Sequence, residues 1–408
     1  MSMTPLEWLD ALQGSGIRPG LRRMRAILHE LGNPHRKVPA VIVAGTNGKG
    51  STSATLTSIL TTAGYRVAHY TSPHLIDLRE RWTIGGEMID PATLDGAIEA
   101  IHAAGDRAGI IPTYFEALTL IAFVVFAQAR CDVSILEVGM GGRLDATNVV
   151  RPIAALITPV AFDHMEYLGN TLRQIAAEKA GVIHRGAIVL TSSRDPVVTE
   201  VIRSRAKKFG IDVTVASGDD LPKSLEIPLA GAFQRDNVAL AVRAAKELRR
   251  HFSRIDDEAI RQGVASTRWR GRLERLRLGS RQIWIDGCHN PHAIAAVLPF
   301  VETLRRPRLL VFGVMSDKPV DQMTGALFPL FDRIITTEPY PPRSADADSL
   351  AQRALDLGIR VEADPSPGGA FQRALDSGIA TIFIGGSLYL AGEALAFFES
   401  LPLQTSER

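Results

Sequence analysis

The run Val41-Ile42-Val43-Ala44-Gly45-Thr46-Asn47-Gly48-Lys49-Gly50-Ser51 leaves few folds open. Its first four residues are apolar and mostly β-branched, which suits a buried strand. Three glycines then surround one lysine, and a helical pattern follows over 51–63. A strand that turns on glycines into a helix is a phosphate cradle. Backbone N–H groups approach the oxygens, the helix start adds partial positive charge, and Lys49 adds a full one. A strict Walker pattern would place Gly at 43 and a hydroxyl residue at 50; Val43 and Gly50 stand there, and the hydroxyl falls at Ser51. A lysine between two glycines has no packing purpose, so the stretch reads as a nucleotide site.

At 408 residues the chain exceeds one ordinary core, and two domains are expected, 1–270 and 282–408, joined by a linker at 271–281. Net charge is +2, which gives no electrostatic case for binding nucleic acid or an anionic membrane. Cys131 and Cys288 make no disulfide framework and suit a reducing compartment. Met1 to Asp10 lacks the basic-then-apolar order of a signal peptide, and the greasiest run, 118–127, is too short to span a bilayer. A cytoplasmic monomer is the expectation.

Alternating strands and helices predict a doubly wound sheet. Ser72-Pro73-His74 follows a short strand, where either an ordinary proline turn or a ligand position fits. Thr113 and Glu116 stand at capping-box spacing, so Glu116 reads as a cap. Glu137 ends an apolar strand, the place from which a carboxylate reaches Mg²⁺; the competing reading is a structural ion pair. Asp163-His164 lies beyond the next strand, although His164 alone reads as an ordinary surface histidine. Lys179 sits among alanines before Gly181, either partly buried or solvated against the helix dipole. A second α/β cycle begins near Ile283, with Asp286 and His289 at the end of its first strand and no second glycine-rich phosphate loop.

Together these segments resemble the folylpolyglutamate synthase/dihydrofolate synthase family of the Mur ligase superfamily. The resemblance covers nearly the whole chain. Gly45-Thr46-Asn47-Gly48-Lys49-Gly50-Ser51 and the stretch Leu136 to Asn148 are its most specific motifs, and Ser72-Pro73-His74-Leu75 separates this branch from cell-wall ligases. It implies a Mur-ligase-like α/β fold: a large N-terminal P-loop ATPase domain on a mostly parallel sheet, plus a smaller C-terminal Rossmann-like α/β domain. It implies an ATP-dependent carbon–nitrogen ligase of folate biosynthesis, joining L-glutamate to dihydropteroate or reduced folates through an acyl phosphate.

Carried onto this sequence, the resemblance implies that Asn47, Gly48, Lys49, Gly50 and Ser51 hold ATP phosphates, with Asn237, Arg272 and Asp286 also on the nucleotide and His289 catalytic nearby. Ser72, Glu137 and His164 would ligate Mg²⁺. Catalytic Lys179 would be carbamylated and hold a second Mg²⁺, with room for a monovalent cation. Thr113, Tyr114, Phe115, Glu116 and Leu144 would line the pteroate pocket, so that Glu116 caps its helix and also meets substrate. Two departures stand out: Cys288 where alanine is usual, and Pro319 where an aspartate is common. The alternatives are another Mur-type ligase acting on a cell-wall precursor, and a non-catalytic ATP-gated binding protein.

Overall fold

A computed structural model of the chain describes residues 3–340 and 343–400. Residues 401–408, the end of the expected second domain, lie outside the described residues. The chain forms two compact units. One comprises 1–73, 79–228 and 234–268; the other comprises 74–78, 229–233 and 269–408.

The first unit is built on eight strands: β1 (Ala40–Ala44), β2 (Val67–Tyr70), β3 (Trp82–Ile84), β4 (Glu87–Met88), β5 (Val133–Glu137), β6 (Ala154–Ile157), β7 (Ile188–Thr191) and β8 (Val213–Val215). Their order is β4-β3-β2-β5-β1-β6-β7-β8. All neighbours are parallel except the β2–β3–β4 meander. Strand β1 is buried along its whole length, as expected for a central parallel strand covered on both faces. Because β1 lies between β5 and β6, the loops after three adjacent strands open at one crevice, where open α/β sheets bind ligands.

Helix Lys49–Thr62 packs on helices Gln234–Leu248 and Asp257–Ala265. The last approach is close enough that a Cβ on Gly263 would collide with the Ile59 backbone. The amino-terminal helix Pro5–Ala11 carries the Thr4–Glu7 capping box read from sequence. This helix and Arg22–Glu30 pack on helices Pro91–Ala108 and Tyr114–Gln128.

The second unit holds β9 (Glu274–Leu278), β10 (Arg281–Ile285), β11 (Arg308–Phe312), β12 (Arg333–Thr336), β13 (Arg360–Ala363) and β14 (Thr381–Gly385), in the order β13-β12-β11-β14-β10-β9. Only the β9–β10 hairpin is antiparallel. Residues 274–278, inside the stretch read as linker, are thus an edge strand of this sheet. They alternate between half-buried and exposed, the pattern of a strand with one wet face. Among the described residues no helix is long and apolar enough to cross a membrane.

Candidate active site

In the first unit the glycine-rich loop leaves β1 at Gly45 (φ 144°) and enters its helix through Gly48 (φ 88°), backbone that only glycine adopts without strain. Gly48 is the N-cap and has no side chain to spend on the first-turn N–H groups of Lys49–Thr62. Those donors face whatever occupies the loop, as a phosphate site requires. The loop is held from below. The Thr46 N–H donates to the Pro159 carbonyl (2.9 Å), its hydroxyl donates to the Ala161 carbonyl (3.1 Å), and the Ala161 N–H returns a bond to that hydroxyl (3.0 Å). The Lys49 ammonium donates to the Thr46 carbonyl at 3.0 Å, folded over its own loop.

Asn237 abuts this cradle. A Cβ on Gly48 would run into its amide, the Thr52 hydroxyl donates to its carbonyl (3.3 Å), and its side-chain NH₂ donates to Gln234 (2.8 Å). Polar sequence alone marked this segment only as a helix entry; the fold brings it against the phosphate loop.

Lys179 is 4% exposed and its ammonium donates to the Gly45 carbonyl at 2.8 Å. Burial, with the Lys49 charge adding to it, lowers its pKa from 10.5 to about 7; Asp163 and Asp145 oppose the shift. The alternative of a solvated lysine at the helix end is thereby removed. The helix carrying it is clamped by the glycine-rich stretch after β5. The Arg143 N–H donates to the Glu178 carbonyl (2.8 Å), the Arg143 and Glu178 side chains pair at 2.9 Å, and Gly142 and Gly181 each sit where a Cβ would meet the opposing backbone.

Glu137 ends β5 at 5% exposure, and its Oε2 accepts from the Thr71 hydroxyl and, at 3.4 Å, from the Ser72 N–H. Ser72 and Glu137 are therefore brought together. His164 has left-handed backbone (φ 49°), and its half-exposed ring lies 3.9 Å from the Asp163 carboxylate. Among the described residues no three His, Cys, Asp or Glu side chains cluster as a metal cage. Mg²⁺ needs no such cage, because it keeps several waters and substrate phosphates as ligands. The carboxylate of Glu137 and the hydroxyl of Ser72 are the hard oxygen donors it takes, so these residues fit that ion.

Asp145 was missed as a candidate, although it lies inside a motif already singled out. It is buried, with Oδ1 accepting from the Thr147 N–H and hydroxyl and Oδ2 from the Gly139 and Met140 N–H groups (3.1 Å each). Burial raises its pKa against those bonds. Beside it, the Phe115 ring covers Gly139, leaving no room for a Cβ there. Thr113 caps helix Tyr114–Gln128, the Tyr114 N–H donates to the Ser15 hydroxyl (3.1 Å), and Leu144 is half-buried. The Glu116 carboxylate accepts from the Thr113 N–H (2.8 Å) and pairs with Arg23 at 2.9 Å.

In the second unit Asp286 directly follows β10 at 3% exposure and accepts from the Leu273 N–H at 2.9 Å. Burial raises its pKa while Arg272 lowers it. The Arg272 guanidinium lies across Gly287, where a Cβ would displace it. His289 Nδ1 hydrogen-bonds with the Gly287 carbonyl (2.9 Å), and Asn290 caps helix Pro291–Thr303. Arg272, Asp286 and His289 thus share one strand end. Cys288 is buried there, and burial, with Asp286 adding, holds its thiol protonated. Lys318 pairs with the neighbouring Asp317 at 3.4 Å.

A phosphate loop in one parallel-sheet unit, followed by a second such unit without one, is the build of a Mur ligase. The Mur ligase middle domain matches residues 43–219, and the Mur ligase glutamate ligase domain matches residues 271–387. Among curated relatives, a dihydrofolate synthase/folylpolyglutamate synthase of Bacillus subtilis is 32% identical over 95% of this chain and 96% of its own length. A probable bifunctional folylpolyglutamate synthase/dihydropteroate synthase of Halobacterium salinarum is 38% identical over 94% of this chain, which spans half of that protein's length. The crystal structure of a bifunctional folylpolyglutamate synthase/dihydrofolate synthase from Yersinia pestis, complexed with AMPPNP and a manganese ion, superposes with a TM-score of 0.84 at 29% identity, covering 97% of this chain and 98% of that one. The chain belongs to the folylpolyglutamate synthase/dihydrofolate synthase family, ATP-dependent ligases of the Mur type.

Proposed function

We propose that this chain joins L-glutamate to the carboxylate of a pteroyl acid, dihydropteroate or a reduced folate, at the expense of ATP. The observation that carries this is the buried Lys179 ammonium, with its pKa near 7, bonded to the first residue of a phosphate loop that also bears Lys49. The γ-phosphoryl of ATP moves to a carboxylate oxygen, giving an acyl phosphate and ADP. The glutamate amine then attacks the acyl carbon, and inorganic phosphate leaves.

The protein's part is placement and charge neutralisation. Lys49 swings from the Thr46 carbonyl onto the β/γ-phosphates, beside the first-turn N–H groups of Lys49–Thr62. Mg²⁺ held by Glu137, Ser72 and His164 would neutralise phosphate charge. Lys179, unprotonated for much of the time at neutral pH, can add to CO₂ and release a proton; the resulting carbamate turns a cation into an anion suited to a second Mg²⁺. Arg272 and Asp286 are the second unit's nucleotide contacts, with His289 beside them. Thr113, Tyr114, Phe115 and Leu144 line the pteroyl pocket. The protein acts as a cytoplasmic monomer.

Phosphate release by the purified chain with ATP, Mg²⁺ and glutamate tests this, using dihydropteroate, tetrahydrofolate and a nucleotide-sugar peptide in parallel. Release with either pteroyl acid supports the reading. Release with the peptide alone would assign the chain to cell-wall chemistry, and no release with any acceptor would leave a nucleotide-gated binding protein.

A further inference from the structure

Glu116 has room for about four hydrogen bonds on its two oxygens, and both oxygens are engaged: the Arg23 Nε–H is shared between them, and the Thr113 N–H takes Oε2. Arg23 Nε lies 3.1 Å from both oxygens, Arg23 Nη2 lies 2.9 Å from Oε1, and the Thr113 N–H donates to Oε2 at 2.8 Å. The Glu116 side chain is 6% exposed and that of Arg23 27%. A carboxylate so engaged has little capacity left for a substrate.

What it does instead is mechanical. Arg23 stands on helix Arg22–Glu30 and is itself fixed by donating to the Arg18 carbonyl. Through Glu116 it grips the first turn of helix Tyr114–Gln128, whose Tyr114 N–H is held by Ser15 from the same amino-terminal segment. That turn carries Phe115, half-buried, with its ring lying on Gly139 two residues beyond Glu137. A forked guanidinium on both oxygens of a carboxylate fixes direction as well as distance.

We infer that Arg23 is a positioning residue for the acceptor acid: by locking Glu116 it sets the Phe115 ring relative to the strand end at Glu137. The inference rests on the pteroyl reading of the Thr113–Phe115 stretch. It assigns Glu116 to the latch and leaves ring contact to its neighbours.

The test compares Arg23→Met, Arg23→Lys, Glu116→Gln and the double variant Arg23→Met/Glu116→Gln. Glutamine still serves in a capping box, so Glu116→Gln keeps the helix start while removing the charge pair. Phosphate release gives kcat and the KM for dihydropteroate and for ATP. The expected result is a KM for dihydropteroate raised about tenfold in Arg23→Met and Glu116→Gln, with the KM for ATP moving less than about twofold. The double variant should be no worse than either single, because both remove one interaction. Arg23→Lys, which keeps the charge without the fork, should recover part of the loss. An unmoved KM for dihydropteroate, additive losses in the double variant, or parallel loss of every kinetic constant together with the melting temperature would overturn the inference. Should Arg23→Met fail to fold, Glu116→Gln alone decides. A wild-type chain inactive with every pteroyl acid sinks the functional reading and this inference with it; an active wild type whose variants are kinetically unchanged sinks only the inference.

Discussion

The Lys179 ammonium donates to the Gly45 carbonyl at 2.8 Å, joining the last turn of one helix to the residue where the phosphate loop leaves its strand. Neither residue could be placed near the other from spacing, since 134 positions separate them. The bond makes the protonation state of one buried amine a property of the nucleotide site.

Stability should record that amine. Its folded pKa, about 7, lies below the ordinary 10.5, so between those values the unfolded chain binds more protons than the folded one. The cost of burying the charge is therefore full below about pH 7 and fades as pH rises through that interval, so stability attributable to Lys179 increases with pH. Lys179→Met should flatten this slope in urea unfolding followed across the interval, and should abolish turnover. Labelled bicarbonate should give a carbamate carbon signal in the wild type that strengthens with pH and is missing from the variant. A slope that survives the substitution would assign the pH dependence elsewhere.

Lys49→Ala should leave the fold intact, because Lys49 is only half-buried and its ammonium donates to a carbonyl of its own loop. Phosphate release should fall by roughly a hundredfold or more, the scale on which a preorganised charge at a transferring group contributes. Circular dichroism and a melting curve matching the wild type, beside near-normal phosphate release, would remove the loop from the mechanism.

The fold was legible wherever one physical signal dominated. Strand β1 read correctly because a β-branched run ending at glycine has few other uses, and the capping boxes at Thr4 and Thr113 announced their helices. The β3–β4 hairpin was missed although its signal was present: Gly85 and Gly86 both take positive φ, as a two-residue turn between strands demands. Strand β9 reads as linker because Glu274 and the arginine–leucine alternation after it resemble solvated chain until β10 pairs with them. At the candidate site, the strand-end position of Glu137 was legible in the sequence, and the fold sets it against Thr71 and Ser72. Asp145 was not legible, since its importance lies in four hydrogen bonds that only the folded loop creates. Arg23 carried no local signal, because its partner is 93 residues away.

If Glu137 is the charged ligand of Mg²⁺ beside neutral Ser72 and His164, as proposed, Glu137→Ala should raise the Mg²⁺ concentration needed for half-maximal phosphate release by about tenfold or more. Removing a carboxylate that is 5% exposed also leaves the Thr71 hydroxyl and the Ser72 N–H without their acceptor. Glu137→Gln restores one acceptor without the charge and should separate the two effects: near-normal unfolding midpoint, but the same shifted Mg²⁺ dependence. A Mg²⁺ titration in which Glu137→Gln overlays the wild type would place the ion elsewhere.

Gly48→Ala meets two obstacles that can be told apart. Its φ of 88° is strained for any residue with a Cβ, and that Cβ would also strike the Asn237 amide. Backbone strain alone costs about 1–3 kcal/mol, and the collision adds to it unless Asn237 moves. Trimming the obstacle in Gly48→Ala/Asn237→Ala should therefore recover only part of the lost stability in equilibrium unfolding. Affinity for a non-hydrolysable ATP analogue should recover even less, because the N–H groups that meet phosphate depend on the glycine conformation rather than on the room beside it. If calorimetry found the single variant binding the analogue as the wild type does, the turn at Gly48 would not be holding phosphate, and the helix it opens would be only a core element.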